Sequence, residues 1–276
     1  MSLMQIPSAP DQAIYPPTTG DVNFYGSRGL VGVVNAVTPL TKYDLSADAV
    51  ILKNPVNNTV VRTAVTAITN DLGLAGPAAN GRDIVGAFGV SSWVYLYFIW
   101  NGATLATVSS LTAPPTGPVL PTGYTHWCFA TAVRWNAVSN IIPMRTQGNE
   151  TWYDLADGGV NNVLGSGVAT AMTAIACSGF VPPNVVKGYF LASLSVSETV
   201  ARFYTASFRP TGAANAGRAY ITFLLNEPAS GFTDGGSSTF YMPLGTSQQI
   251  DYKIIATPAA GGLTVTVLGF VLPNGG

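Results

Sequence analysis

The stretch SSWVYLYFIWNG, residues 91–102, decides the fold that this sequence predicts. Its eight consecutive bulky apolar residues are too few for a membrane-spanning helix, which needs about 20. As a strand, the run places apolar side chains on both faces, because successive side chains of a strand point in opposite directions. Such a strand must be covered on both sides. We expect a facing sheet on one side and another layer or subunit on the other.

Short apolar runs separated by turn residues continue along the chain, as in TVVRTAVTAIT, WCFATAVRW and GLTVTVLGFVL. This spacing, with Val, Thr and aromatic residues enriched, is typical of all-β proteins. Asn101-Gly102 predicts a hairpin after the run described above. A second hairpin is predicted across TPAAGG, with Tyr252 and Ile254 as neighbours of Thr264, Val265 and Val267. A helix over residues 165–177 is an alternative that Gly165 and Gly167 oppose. The predicted fold is an antiparallel β-sandwich, jelly-roll-like.

The first part of the chain lacks this pattern. Residues 1–20 are rich in Pro, Ser and Thr and show no hydrophobic period. We therefore predict an extended N-terminal arm over residues 1–29, docked on another surface, and a β-sandwich body over residues 30–276. A division of the body into two subdomains near residues 152–167 is the alternative.

Charge is scarce in this sequence. Charged residues make up 9% of the chain and its net charge is −1, against about 25% charged residues in an average domain. With no basic patch, nucleic acid and anionic membranes are not expected partners, and no membrane insertion is predicted. A weakly charged, apolar surface favours self-association. The N-terminus shows no signal peptide, so synthesis in a cytoplasm is predicted, with Cys128 and Cys177 reduced and buried.

Catalytic and metal-binding patterns are weak. His126 and Cys128 lie two residues apart, on one face of a strand, but no third group at a recognisable spacing would orient them. The acidic pairs Asp154/Asp157 and Asp44/Asp48 lie in turn-prone sequence, where Asp caps backbone groups. The Asp-Gly-Gly stretches at 157–159 and 234–236 offer too few oxygens for calcium. We predict no enzyme, no cofactor and no metal site.

Aromatic residues are the remaining candidates for binding. At alternating spacing they are usually core residues, and the alternative is stacking on sugars or between subunits. This group comprises Trp93, Trp100, Trp127, Trp135, Trp152, Tyr189, Phe190, Phe203, Tyr204 and Phe208. The predicted interaction surface consists of Tyr15, Pro16, Pro17, Phe24, Tyr25, Trp127, Trp135 and Trp152.

Four stretches together resemble a family of tailed-bacteriophage virion proteins. They are AVTPLTKYDLSADAVIL, ITNDLGLAGPAANGRDIVGAFGVSSWVYLYFIWNG, LPTGYTHWCFATAVRWNAVSNIIPMRTQGNETWYD and YMPLGTSQQIDYKIIATPAAGGLTVTVLGFVL. In that family a W-Y-Y-L-Y-x-I run precedes L-P-x-G-Y-T, and the chain closes on a T-S-Q-x-I-x-Y-x hairpin and a V-L-G-Y/F strand. The similarity covers about residues 33–276. At HWCFATAVRW the sequence departs from the family, which usually carries basic residues there.

The resemblance implies a β-rich structural protein of the particle exterior, made in the cytoplasm of the bacterial host. We expect a capsid decoration or cement protein on the outside of the head, forming a homotrimer and contacting the major capsid protein. The alternative is a tail-fibre or receptor-binding component that recognises host surface glycans.

Overall fold

The computed structural model describes residues 26–54, 56, 58–154, 161–197, 202–213, 221–227 and 233–273. These residues form strands, turns and one short 3-10 turn, Thr246–Gln248, with no α-helix in the part of the chain that is described. The protein is therefore all-β. No described helix has the length and apolarity that crossing a bilayer would require. The chain divides into two compact units, with Glu150–Pro273 forming the second.

The described part of unit 1 contains nine strands. They are β1 (Gly26–Arg28), β2 (Val31–Val34), β3 (Lys42–Lys53), β4 (Thr59–Asp71), β5 (Gly81–Arg82), β6 (Ser92–Trp100), β7 (Leu105–Ser110), β8 (His126–Trp135) and β9 (Met144–Gln147). Strand β3 pairs with β4 on one edge and with β1 and β2 on the other, all antiparallel. Strand β6 lies between β7 and β8, and the short β5 pairs with β7 in parallel.

The strand with two apolar faces is β6, and both of its faces are covered. Strands β3 and β4 pack against the layer of β6, β7 and β8, and the guanidinium of Arg62 on β4 lies 4.0 Å from the centre of the Trp100 ring. The other face carries Tyr97, whose hydroxyl donates a 2.6 Å hydrogen bond to the carbonyl of Thr112. The second cover of β6 thus includes a loop of the same chain, the proline-rich loop that follows β7.

A glycine in the proline-rich loop allows the loop backbone to approach the ring of Trp127 on β8. Gly117 has φ +81°, and a Cβ built there would lie 2.3 Å from the ring of Trp127 on β8. A side chain at this position would therefore clash with the ring, and the backbone conformation also favours glycine. Trp127 in turn packs edge-on against Tyr97, with ring centres 5.5 Å apart. The loop seals an aromatic cluster that a simple turn would leave in water.

Nine strands also lie in the described residues of unit 2. They are β10 (Glu150–Tyr153), β11 (Asn162–Gly167), β12 (Thr173–Ala176), β13 (Lys187–Ser197), β14 (Arg202–Pro210), β15 (Ile221–Glu227), β16 (Thr233–Met242), β17 (Gln249–Ile254) and β18 (Ala260–Val271). One layer has β13 between β16 and β18, and the far edge of β18 pairs with β10 and β11. The other layer has the order β12-β17-β14-β15.

Phenylalanine rings join the two layers of unit 2. Phe240 on β16 stacks on Phe190 of β13, and its ring centre lies 4.8 Å from that of Phe208 on β14, in the other layer. All three side chains are buried. Burying a side chain of this size contributes about 1.5–3 kcal/mol, so this contact is a main source of cohesion between the layers.

The structure corrects three details of the sequence interpretation. Residues 26–28, the end of the predicted arm, form β1 and pair with β3, while residues 1–25 lie outside the described part. The stretch 165–177 forms no helix, because it supplies the end of β11 and all of β12. The predicted hairpin across TPAAGG is wrong, because β17 pairs with β12 and β14 while β18 belongs to the other layer. Apolar alternation alone does not identify a strand's partner.

Candidate binding surfaces

Three aromatic side chains line up on the outer face of unit 2. Tyr241 on β16 pairs with Tyr189 on β13, Tyr189 pairs with Gly269 on β18, and Gly269 pairs with Trp152 on β10. Directly paired residues of antiparallel strands share a face of the sheet. Trp152, Tyr189 and Tyr241 therefore form one line across the sheet, which we call the aromatic row. Trp152 and Tyr189 are half-buried, and Tyr241 is 38% exposed.

Ring stacking, a lysine side chain and two hydrogen bonds hold the aromatic row in place. The rings of Tyr189 and Tyr241 stack with centres 4.5 Å apart and an angle of 20° between their planes. The Nζ atom of Lys187 lies 4.7 Å from the centre of the Tyr241 ring. The Tyr241 hydroxyl donates to the carboxylate of Glu150 and accepts from the indole N–H of Trp152. Partial burial, followed by the negative charge of Glu150, raises the pKa of Tyr241, so the phenol stays protonated.

Hydroxyl groups cover the same face beyond the aromatic row. Moving along β13 from Tyr189 as far as Ser195, three of the nine outward positions and partners on β16 and β18 are Leu191, Gly235 and Gly262, and the other six carry Ser or Thr. They are Ser193, Ser195, Ser237, Thr239, Thr264 and Thr266, each exposed or half-buried. We call this set the hydroxyl face. It has no charged member and combines donors with acceptors.

Two loops of unit 1 present valines to solvent by the same local device. The carboxamide oxygen of Asn35 accepts hydrogen bonds from the backbone N–H groups of Val37 and Thr38, each 3.0 Å long. Asn136 does the same for Val138, at 2.9 Å. Such Asx turns fix the backbone locally, so the valine two residues after the Asn stays outside the core. Both turns have the sequence Asn-Ala-Val.

These two turns meet at one end of unit 1. The N–H of Ile141 donates to the carbonyl of Leu40 at 2.7 Å, which joins the β2–β3 loop to the segment that follows β8. The N–H of Ser91 donates to the carbonyl of Asn136 at 3.2 Å. Four exposed apolar side chains lie on these two loops and on the loop before β6, which contains Ser91. We call this group of four side chains the loop end. They are Val37 at 87%, Leu40 at 55%, Val90 at 56% and Val138 at 72% exposed.

The predicted interaction surface is only partly supported by burial. Trp152 is half-buried and belongs to the aromatic row. Trp127 and Trp135 are 7% and 5% exposed and lie in the core of unit 1, which corrects their place in the predicted surface. Their strand, β8, is buried on both faces, so alternation could not separate core from surface there. The remaining residues of that surface, Tyr15, Pro16, Pro17, Phe24 and Tyr25, lie outside the described part of the chain.

The pair His126 and Cys128 does not have the features of a nucleophilic site. Cys128 is fully buried, and burial raises the pKa of its thiol far above the ordinary value, with Lys53 opposing the shift only weakly. A reactive cysteine needs the opposite, because the thiolate is the nucleophile. Burial also lowers the pKa of His126, whose Nδ1 atom lies 2.9 Å from the hydroxyl of Thr125. Cys128 and Cys177 are both buried and free.

The acidic residues considered for catalysis have local roles or lie apart. The carboxylate of Asp44 accepts hydrogen bonds from Asn35 at 2.9 and 3.1 Å and from Thr69 at 2.6 Å, which joins β3, β4 and the first Asn-Ala-Val turn. Asp48 is exposed, Asp154 ends the described stretch before residue 161, and Asp157 lies outside it. Within the described ranges, no three His, Cys, Asp or Glu side chains are grouped closely enough to hold a metal ion.

Comparisons with known proteins add little. No family model matches the chain, and no curated protein matches it. Among solved structures, the chain is similar to a Bacillus thuringiensis Cry1Da tryptic core variant, with 7% identity and a TM-score of 0.21. That likeness covers 92% of this chain and 53% of the other. A likeness at this score supports no inference about the fold or the function.

Two features of these candidate surfaces were not predicted. Tyr241 was overlooked, although the pairs Tyr189-Phe190 and Phe240-Tyr241 carry a signal: in each pair the Phe is buried and the Tyr faces outward. The loop end was also missed. Its signal is the repeated Asn-Ala-Val, because an Asn at a turn followed by an apolar residue predicts an Asx turn that holds that residue in solvent.

Proposed function

We propose that the protein is a non-catalytic structural component of a tailed-bacteriophage virion, a capsid decoration protein on the outside of the head. The sequence resemblance over about residues 33–276 and the all-β architecture support this proposal. The observation that carries it is the loop end, where four apolar side chains from three neighbouring loops are more than half exposed. Grouped exposed apolar side chains mark surfaces that bind other proteins.

The proposed partners follow from the same surface. A decoration protein must bury part of itself against the shell and against its own copies. With 9% charged residues, this chain has little electrostatic repulsion to oppose either contact. We propose a homotrimer whose copies contact the major capsid protein. The body, residues 30–276, would be an antiparallel β-sandwich of jelly-roll type, a proposal supported by the two packed layers of unit 2 that Phe208 and Phe240 join.

Immunogold electron microscopy of intact particles tests the location. Antibody raised against the purified chain should label the head surface, and quantitative protein gels should give a copy number comparable with that of the major capsid protein. Label confined to the tail, with few copies per particle, would overturn the decoration role. Absence of the chain from purified particles would overturn the virion proposal altogether.

A second candidate function is favoured by the aromatic row. A tail-fibre or receptor-binding component that recognises host surface glycans needs exposed aromatic rings, because sugars present C–H faces that pack on them. Tail labelling in the same micrographs, together with adsorption of the purified protein to host cells, would support this candidate over decoration.

A further inference from the structure

We propose that the outer face of the β16-β13-β18 layer binds an uncharged polysaccharide, with the aromatic row as its stacking subsite and the hydroxyl face as its track. This inference goes beyond the decoration role. It deepens the receptor-binding alternative, on which it rests for the source of the glycan. The occupant follows from three properties of the face: fixed aromatic rings, a line of hydroxyls and the near absence of charge.

The aromatic row is organised before any ligand arrives. Tyr241 is held by the stacked Tyr189 ring, by Lys187 and by hydrogen bonds to Glu150 and Trp152. Aromatic side chains fixed in this way lose little further conformational entropy on binding. The ring faces that these contacts leave uncovered carry partial negative charge, which suits the weakly positive C–H groups of a sugar ring.

The hydroxyl face extends this subsite in one direction. From Tyr189 to Ser195 the strand advances six residues, which corresponds to about 20 Å along β13. Ser237 and Thr239 on β16 are exposed beside it. Serine and threonine hydroxyls both donate and accept, as sugar hydroxyls do, so the face can exchange hydrogen bonds with a polyol of any orientation. The length suits an extended chain of several sugars more than a single one.

Charge argues against the other polymers that use aromatic stacking. Nucleic acids need cations to replace the counterions of their phosphates. Among the residues that the structure describes, Lys187 is the cation beside the aromatic row, and the carboxylate of Glu150 contacts the same tyrosine. An anionic polysaccharide would also need cations on the face, and the charge of Glu150 offsets that of Lys187. A neutral polysaccharide needs no charge compensation, and it is the polymer that this face fits.

Affinity electrophoresis tests the proposal on the full chain. Native gels containing dextran, mannan or a mixed-linkage β-glucan serve as neutral probes, and gels containing alginate serve as the anionic probe. We expect at least one neutral polysaccharide to retard the protein and alginate to leave it unaffected. Tyr189→Ala and Trp152→Ala should each weaken that binding about tenfold or more, whereas Trp152→Phe should retain most of it.

Phe203→Ala is the matched control, since Phe203 is an aromatic residue of the other layer that is 61% exposed. Each variant must keep the wild-type circular dichroism and thermal midpoint. Quenching of tryptophan fluorescence gives a second readout, which needs no substitution of the tyrosines. Trp152 is half-buried, while Trp93, Trp100, Trp127 and Trp135 are buried, so acrylamide should quench Trp152 first and the bound polysaccharide should protect it.

The outcomes separate this proposal from the decoration role. Retardation by none of the neutral probes, retardation by alginate alone, or equal loss in Phe203→Ala would overturn the polysaccharide site. Binding of another protein to this face, abolished by Tyr189→Ala while all neutral probes fail, would also overturn it. Each result stands whether antibody labels the head or the tail.

Discussion

Replacing two valines of the loop end by serine should dissociate the proposed oligomer. Val37 and Val138 are 87% and 72% exposed, so nearly all of each side chain is available for burial against another copy. Full burial of a valine contributes about 1.5–3 kcal/mol, which gives about 2–5 kcal/mol for the pair. Since each 1.4 kcal/mol is a factor of ten, V37S/V138S should associate about 30-fold to about 3,000-fold more weakly.

Sedimentation velocity over a concentration series measures this change. The wild type should shift from monomer to oligomer as concentration rises, and V37S/V138S should shift only at much higher concentration. The thermal midpoint of the monomer should be nearly unchanged, because substitutions of exposed residues rarely alter stability by more than about 0.5 kcal/mol. A loss of stability would mean that these valines pack within their own chain.

The structure supplies a closely matched control for this experiment. Val56 is 74% exposed. Its N–H donates a 3.1 Å hydrogen bond to the carboxamide oxygen of Asn54, which is the same Asx arrangement at the other end of β3. V56S therefore makes the same valine-to-serine change at an Asx turn outside the loop end, and it should leave association unchanged. A wild type that remains monomeric at every concentration would refute the reasoning, as would equal weakening by V56S.

Two further predictions concern the cores. Tyr97→Phe removes the donor to the Thr112 carbonyl and should lower the free energy of unfolding by about 0.5–1.5 kcal/mol, measured by urea denaturation, because a part-buried hydrogen bond is lost. A smaller loss than in an exposed Tyr→Phe variant would contradict this. Burial raises the pKa of both thiols, that of Cys177 to about 12, so neutral thiols stabilise the fold below about pH 9 and this stabilisation is lost as the pH rises further. Ellman's reagent should react with neither cysteine at pH 8 until urea is added.

The sequence was sufficient to predict the class of the fold and the position of its most buried strand. Residues 93–100 form most of β6, which is covered on both faces, and the hairpin after Trp100 is confirmed, with Trp100 paired to Leu105. These predictions succeeded because they depend on local properties, hydrophobic period and turn chemistry.

The partners of each strand could not be predicted in the same way. Strands β17 and β18 follow each other and are both apolar, yet they belong to different layers. Their separation depends on where β13 and β14 offer unpaired edges, which no local pattern encodes. The aromatic row was predicted only in part, because it also depends on strand pairing. Trp152 and Tyr189 could be singled out as aromatic residues, but their alignment with Tyr241 depends on pairing across four strands.

The place of β18 in its layer bears on how the chain folds during synthesis. Glu150 pairs with Val271, and Lys187 pairs with the same residue from the other side, so the strand made last among those described fills the middle of the layer. While residues 260–271 remain inside the ribosome, β11 and one edge each of β10 and β13 lack the strand that pairs with them. Unit 2 must wait for this strand, whereas the strands of unit 1 have all emerged much earlier. Limited proteolysis of ribosome-bound chains that stop before residue 260 should cut within 150–259 and spare the first unit; equal protection of both would exclude this order.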